Sequence, residues 1–178
     1  MRTFFGLELS ANTTLQVADW RDRQLAQAGR PVPPANFHIT LAFVGELHRG
    51  SLERLSRSVD DWLMNSPVMA DELLLDRTGY WQKQGIYWLG PSAWPPALSR
   101  LAKKLRSLAT GVGARLDRNP FQPHITLFRN YRDAPPAPAT APAIVMRYSD
   151  FALFESRQGR RGVSYHPLQS WQLPPPAK

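Results

Sequence analysis

The segment FHITLAFVGE at positions 37–46 has the alternating pattern of a β-strand with one buried face. Its apolar residues fall on every second position: Phe37, Ile39, Leu41 and Phe43. The opposite face carries His38 and Thr40, because residues two apart in a strand point the same way. A strand made only for packing needs neither an imidazole nor a hydroxyl, so this face requires a separate explanation.

A second copy of the tetrapeptide HITL lies half a chain away, in PHITLFRN at 123–130. It repeats the arrangement with His124 and Thr126, in a chain of 178 residues that has four histidines. Such a repeat favours a paired site over two unrelated core histidines. We therefore expect an α+β fold of two lobes, each an antiparallel sheet backed by helices. A pseudo-twofold axis between the lobes would bring the two histidine strands together across a central cleft.

The remaining periodicity predicts three helices, at 11–29, 51–66 and 95–111, with a serine cap at Ser51 opening the second. Strands are predicted at 2–10, 36–45 and 124–129, with two more in 68–90 and a closing hairpin from 143–156 and 162–173. Residues 134–143 are a Pro/Ala-rich connector, and a frayed tail is expected at 174–178. The whole chain, 1–178, is predicted to be a single bilobal domain.

The composition of the chain excludes several kinds of site and indicates the kind of partner. The chain has no cysteine, which excludes disulfides, thiolate metal sites and a cysteine nucleophile. Its formal net charge of +8 favours an anionic partner, with nucleic acid the leading candidate. No apolar run is long enough to cross a membrane, and the apolar run before Glu8 is too short for a secretory signal, so we expect a cytoplasmic protein.

The two HITL motifs resemble those of the two-histidine (2H) phosphoesterase superfamily. The resemblance is closer to its bacterial branch, the RNA 2′,3′-cyclic phosphodiesterases, also called 2′-5′ RNA ligases (LigT-like). The segments RTFFGLEL, NFHITLAFVGE, GIYWLG, NPFQPHITLFR and RGVSYHPLQSW are all similar to that branch, and in its order. The resemblance implies a bilobal fold with a central cleft. It also implies hydrolysis of RNA terminal 2′,3′-cyclic phosphate to a 2′-phosphate, with reversible 2′-5′ ligation as an accompanying activity.

The acid–base properties of imidazole suit His38 and His124 to this hydrolysis. One neutral imidazole can activate water while one protonated imidazole protonates the departing ribose oxygen. Thr40 and Thr126 are predicted to donate hydrogen bonds to the phosphate oxygens. No cofactor or metal is expected, since no carboxylate cluster accompanies the histidines. The resemblance implies His38 as the acid at the 3′ oxygen and His124 as the base for water.

Arginines are the secondary candidates. Arg129 follows the second motif and could bind phosphate, although strict alternation places it on the core face unless the strand ends or bulges there. Three further arginines, in the loop SRQGRRG, are candidate RNA-backbone contacts: Arg157, Arg160 and Arg161.

The other histidines and four aromatic residues have weaker assignments. His48 and His166 fall outside the motif and are predicted to be surface or supporting groups. Four aromatic residues could stack on a base or simply pack in the core: Phe5, Trp81, Tyr87 and Trp88.

Two other functions fit the same sequence. The substrate could be a small cyclic nucleotide or ADP-ribose cyclic phosphate rather than an RNA end. Alternatively, the chain could be an RNA- or nucleotide-binding module without turnover, against which the intact pairs of His and Thr argue. We expect a monomer, since the internal repeat supplies the pairing of two lobes.

Overall fold

The computed structural model describes residues 1–176, which form three α-helices, ten β-strands and a short 3₁₀ helix at Pro34–Asn36. The helices are α1 (Ala11–Gln24), α2 (Arg49–Asn65) and α3 (Pro96–Thr110). The strands are β1 (Arg2–Glu8), β2 (Arg30–Pro31), β3 (His38–Glu46), β4 (Asp71–Leu75), β5 (Arg77–Trp81), β6 (Ile86–Gly90), β7 (Ile125–Arg129), β8 (Ile144–Tyr148), β9 (Asp150–Gly159) and β10 (Gly162–Gln172). The predicted α+β class is confirmed. None of the helices in residues 1–176 is both long and apolar enough to cross a membrane.

The strands form one large antiparallel sheet and one small sheet. The large sheet has the order β10-β9-β1-β3-β7-β6-β5, with β2 paired to β7, and the small sheet pairs β4 with β8. Both halves of the chain thus contribute to a continuous sheet, with β3 and β7 as neighbours at its middle. The predicted meeting of the two histidine strands is confirmed.

Two predicted strands were too long. The region 68–90 contains three strands rather than two, because the chain leaves the small sheet after Leu75 and enters the large sheet at Arg77. The segment 143–156 likewise divides at Ser149 into β8, in the small sheet, and β9, in the large one. In both cases a single residue carries the chain between two sheets, and one continuous apolar pattern hides the change.

Two helix boundaries also differ from the prediction. Helix α1 ends at Gln24, since Leu25 is already extended, and not at 29. Helix α2 begins at Arg49 with His48 at its N-cap, so the predicted cap at Ser51 is wrong. The Ser51 hydroxyl lies in the first turn and accepts a hydrogen bond from Arg54.

The predictions for the connector and for the C-terminal tail have different outcomes. Residues 134–143 have no regular structure, as predicted. The tail is ordered at its start, because the Pro174 carbonyl accepts a hydrogen bond from the Ala70 amide at 2.8 Å. The prediction of fraying is therefore wrong at 174, and its last two positions, 177–178, lie outside the described residues.

One residue pair within the described chain joins the two copies of the motif. Ile39 of β3 lies opposite Ile125 of β7 in antiparallel register, and both side chains are fully buried. These isoleucines are the same position of HITL. An antiparallel pair of equivalent residues places a local twofold axis between them, so the neighbouring His and Thr of both strands face the same side of the sheet.

Each histidine strand bulges at the leucine of HITL. The register of β3 against β1 skips Leu41, and the register of β7 against β6 skips Leu127. Beyond the bulge in β7, Leu127 and Phe128 are both buried and Arg129 is half-buried. The bulge shifts the alternation by one position, and this moves Arg129 from the core face to the face of His124.

The buried Arg21 of α1 supports the bulge in β7. Its Nη1 donates to the Leu127 carbonyl at 3.1 Å and to the Val32 carbonyl at 2.6 Å. Its guanidinium carbon also lies 5.1 Å from the ring centre of Phe37 and 5.5 Å from that of Phe128. A charged group thus satisfies the backbone of the strand at the point where the bulge disturbs the ladder.

Replacing Arg21 by Met should lower the free energy of unfolding by about 1–3 kcal/mol, because the part-buried Val32 carbonyl and the buried Leu127 carbonyl both lose a charged donor. Chemical denaturation with the linear extrapolation would measure the change. Arg23→Ala is the matched control in the same helix: its exposed i,i+4 ion pair with Asp19 should contribute at most about 0.5 kcal/mol. Equal losses in the two variants would contradict this role for Arg21.

Candidate active site

The two HITL motifs line one cleft with a volume of about 930 Å³. Five predicted site residues contribute to its lining: His38, Thr40, His124, Thr126 and Arg129. The central cleft is confirmed. It lies on the polar face of the large sheet, over the point where Ile39 and Ile125 pair below.

His38 is held by two hydrogen bonds. Its Nδ1 lies 2.8 Å from the Asn36 carbonyl, which can only accept, so Nδ1 carries the proton. In the neutral ring Nε2 is then an acceptor, and the Thr40 hydroxyl, at 3.0 Å, donates to it. The sequence positions i−2 and i+2 therefore fix both the tautomer and the ring orientation.

His124 repeats the first of these bonds. Its Nδ1 lies 2.7 Å from the Gln122 carbonyl, again two residues earlier in the chain. Within residues 1–176, the Nε2 of His124 has no hydrogen-bond partner. The two imidazoles therefore share a tautomer, and they differ in whether a protein hydroxyl occupies Nε2.

Aromatic rings enclose each imidazole. The ring centres of Phe4 and Tyr165 both lie 4.9 Å from that of His38. On the other side, Trp81 lies 4.6 Å and Trp88 5.9 Å from His124. The two tryptophans thus form walls of the cleft.

The other two aromatic candidates lie in the hydrophobic core. Phe5 is fully buried and Tyr87 is 2% exposed, and neither lines the cleft. Their predicted alternative as stacking groups is therefore wrong.

This enclosure lowers the pKa of both histidines. Desolvation of the closely surrounded ring lowers the pKa of His38 to about 4, with smaller contributions from the charges of Arg129 and His124 opposing its bond to Asn36. Desolvation also lowers the pKa of His124, again with a contribution from Arg129. At neutral pH both rings of the free protein are therefore uncharged.

Four arginines besides Arg129 line the cleft and were not predicted: Arg2, Arg30, Arg77 and Arg106. They come from different elements and share no motif, so only the tertiary structure brings them together. Phe43 was predicted to be a core residue, which is wrong: it lines the cleft and is 67% exposed. The bulge at Leu41 reverses the alternation there, as the bulge at Leu127 does for Arg129.

The three arginines of SRQGRRG lie outside the cleft lining. The hairpin of β9 and β10 presents Ser156, Val163 and Tyr165 to the cleft instead. Arg157 forms an ion pair with Glu155 at 3.0 Å, while Arg160 and Arg161 are exposed at the hairpin tip.

The two remaining histidines also lie away from the cleft. His48 is exposed at the start of α2, and Nε2 of His166 lies 2.9 Å from the Ser164 hydroxyl. Neither lines the cleft, in agreement with their assignment as surface or supporting groups. No group of three or more His, Asp or Glu side chains within residues 1–176 is arranged to hold a metal ion.

Phosphate should raise the pKa of both cleft histidines, because a bound anion favours the imidazolium. Histidine NMR titration of the free protein should give a pKa for His38 well below 6.5, and addition of inorganic phosphate should raise it. Arg129→Met should raise it as well, since a nearby positive charge is removed. His48 is the internal reference, since phosphate in the cleft does not contact it. A pKa for His38 at 6.5 or above in the free protein would contradict this description of the cleft.

Comparison with known proteins gives a consistent result. Residues 9–158 match the 2′-5′ RNA ligase superfamily. The chain is 35% identical to the RNA 2′,3′-cyclic phosphodiesterase of Escherichia coli, over 97% of this chain and 96% of the relative. It is 28% identical to the protein of the same name from Thermus thermophilus, over 97% and 90% of the two chains.

Among solved structures, E. coli LigT complexed with 3′-AMP superimposes with a TM-score of 0.86 at 34% identity, covering 97% of each chain. The sequence match and the fold thus extend over nearly the same residues, including both HITL strands. The chain belongs to the 2′-5′ RNA ligase superfamily.

Proposed function

We propose that this protein hydrolyses RNA terminal 2′,3′-cyclic phosphate to a 2′-phosphate by metal-independent catalysis with two histidines. The observation that carries the proposal is the pair of imidazoles, each held at Nδ1 by a carbonyl and each accompanied by a threonine in one cleft. The names of the E. coli and T. thermophilus relatives support the same activity.

His124 is proposed as the general base. Its unprotonated Nε2 has no partner within the described residues, so a water molecule can occupy that position and lose a proton to it. The water oxygen then attacks phosphorus while the bond from phosphorus to the 3′ oxygen breaks. The 2′ oxygen keeps the phosphate.

His38 is proposed as the general acid that protonates the departing 3′ oxygen. This role needs a proton on Nε2, whereas the pKa of the ring in the free protein is about 4. The substrate anion supplies the missing stabilisation, because a negative phosphate beside the ring raises its pKa. Protonation would also turn the bond with Thr40 around, leaving the Thr40 hydroxyl hydrogen free for a phosphate oxygen.

Thr40, Thr126 and Arg129 are proposed to bind the phosphate oxygens. The hydroxyls and the guanidinium would stabilise negative charge that grows as water attacks. With an RNA 5′-hydroxyl in place of water, the same displacement would join two ends through a 2′-5′ linkage: the 5′ oxygen bonds to phosphorus, the bond from phosphorus to the 3′ oxygen breaks, and the 3′ oxygen takes a proton.

Several features outside the cleft remain predictions. Arg157, Arg160 and Arg161 are proposed to contact the RNA backbone beyond the cleft. The hydrogen bond from the Asn36 side chain to the Val163 carbonyl would hold their hairpin in position for this contact. Three other predictions also remain predictions: the single bilobal domain, the monomeric state and the location in the cytoplasm.

A mononucleotide substrate is the second candidate. The related E. coli LigT has been crystallised with 3′-AMP and with ATP, which are single nucleotides. Comparing turnover of an oligonucleotide with a 2′,3′-cyclic phosphate end against that of adenosine 2′,3′-cyclic phosphate would separate the two candidates.

Substituting His38 or His124 by Ala should lower kcat by about 10²–10⁴-fold, since each removes one proton transfer. Because the two act in one step, the double variant should be scarcely slower than the slower single variant. Thr40→Ala and Thr126→Ala should each cost at most about 10²–10³-fold, the range for one donor to a developing charge.

Rates would be measured on an oligonucleotide ending in 2′,3′-cyclic phosphate, with product identified by chromatography. His48→Ala, at the start of α2 and outside the cleft, is the matched control and should be fully active. Near-normal hydrolysis by a folded His38→Ala or His124→Ala protein would exclude the proposed mechanism.

Excess EDTA should leave the hydrolysis rate unchanged, because the proposed step uses two imidazoles for the proton transfers that a metal-bound water would otherwise supply. The measurement compares initial rates before and after dialysis against the chelator. Loss of activity that Mn²⁺ or Mg²⁺ restores would overturn the metal-independent step.

A further inference from the structure

Two arginines that line the cleft lie directly opposite each other on neighbouring strands. Arg30 of β2 pairs with Arg129 of β7 in antiparallel register, and both line the cleft. Directly opposed residues of an antiparallel pair project to the same face of the sheet. Like charges in such a pair are destabilising unless an anion lies between or beside them.

The backbone leaves Arg30 little freedom to move away. Gly29 has a φ of +66°, and a Cβ atom there would lie 2.6 Å from the Arg129 carbonyl oxygen and 2.7 Å from that of Asn130. The chain before Arg30 therefore runs in direct contact with the end of β7. After it, the Val32 amide donates to the Leu127 carbonyl at 2.9 Å. The backbone of Arg30 is therefore held opposite that of Arg129 from both sides.

The protein supplies no countercharge for this pair in the part of the chain that the structure describes. Asp117 is the one carboxylate among the lining residues, and it is ion-paired with Arg106 at 3.5 Å. Neither Arg30 nor Arg129 forms an ion pair with a side chain of residues 1–176. The positive charges of Arg30 and Arg129 are therefore balanced only when an anionic ligand binds.

The two guanidinium groups serve different positions. Arg129 is half-buried at the end of β7, the strand that follows His124, and its charge lowers the pKa of both imidazoles, whereas Arg30 is exposed on β2. Arg129 therefore belongs to the reacting phosphate, and Arg30 lies one strand farther toward the edge formed by β2. A single cyclic phosphate leaves Arg30 without a partner. An RNA end does not, because its terminal nucleoside carries a second phosphate on the 5′ oxygen.

We propose that Arg30 binds the phosphodiester on the 5′ side of the terminal nucleoside, as a second anion subsite beside the reacting phosphate. This inference rests on the proposed function for its choice of ligand. It makes Arg30 a specificity-determining residue that favours RNA ends over mononucleotides that lack a 5′-phosphate. Arg129 then contacts the first phosphate and Arg30 the second.

The test compares the dissociation constants of adenosine 2′-monophosphate and adenosine 2′,5′-bisphosphate, measured by calorimetry. The wild-type protein should bind the bisphosphate about 10-fold more tightly, the size expected for one charge-assisted hydrogen bond. Arg30→Ala should abolish most of this preference and leave the affinity for the monophosphate nearly unchanged. Arg30→Lys should keep part of the preference, since it keeps the charge without the guanidinium fork.

Arg147→Ala is the matched control. It removes the same charge from an exposed position on β8 of the small sheet, where Arg147 is paired with Glu72, and should leave both affinities unchanged. The slope of log K against log salt for the bisphosphate should also fall by about one with Arg30→Ala only.

Two results would overturn the inference: a wild-type protein with no preference for the bisphosphate, or an Arg30→Ala variant that weakens both ligands equally. Turnover is measured separately on the cyclic-phosphate oligonucleotide. Binding through Arg30 without turnover would refute the proposed function alone. Turnover without the Arg30-dependent preference would refute the subsite alone.

Discussion

The arrangement of the site depends on the pairing of Ile39 with Ile125. Because the two residues are equivalent positions of a repeated tetrapeptide, their antiparallel pairing makes the two strands copies of each other about a local axis. Burial of both side chains fixes the register, since a slip by one residue would turn His and Thr into the core. A purely apolar contact on one face thus determines the distance and orientation of the reactive groups on the other.

The leucine of HITL determines which of the later side chains in each strand face the cleft. In both strands it is the bulged residue, so the side chains that follow are shifted by one position. Five residues after each histidine, this shift places Phe43 of β3 and Arg129 of β7 at the cleft. The repeat therefore creates two equivalent positions, and the sequence fills them with an aromatic ring and a cation. A phosphate with an attached base needs both kinds of contact.

The repeat allowed the fold class, the central cleft and the pairs His38/Thr40 and His124/Thr126 to be predicted from sequence, because strand periodicity alone puts i and i+2 on one face. The bulges could not be read this way, and Phe43 was consequently assigned to the core. The passage of the chain from one sheet to the other at Asp76 and Ser149 was not predicted, for a related reason. Apolar alternation records which face is buried, but it does not record which sheet the strand has joined. The cleft arginines come from separate elements, and no local pattern marks such residues.

In the proposed mechanism the same motif performs two different proton transfers because its surroundings differ. Both imidazoles donate from Nδ1 to a carbonyl two residues earlier, so the repeat fixes the same tautomer twice. At Nε2 the symmetry ends, since His38 has the Thr40 hydroxyl and His124 has no partner in the described chain. Acid–base catalysis of a single displacement requires one ring to give a proton while the other takes one. In that mechanism a symmetric scaffold supplies the geometry for both transfers, and the asymmetric contacts at Nε2 allow the two rings to hold opposite protonation states around one phosphate.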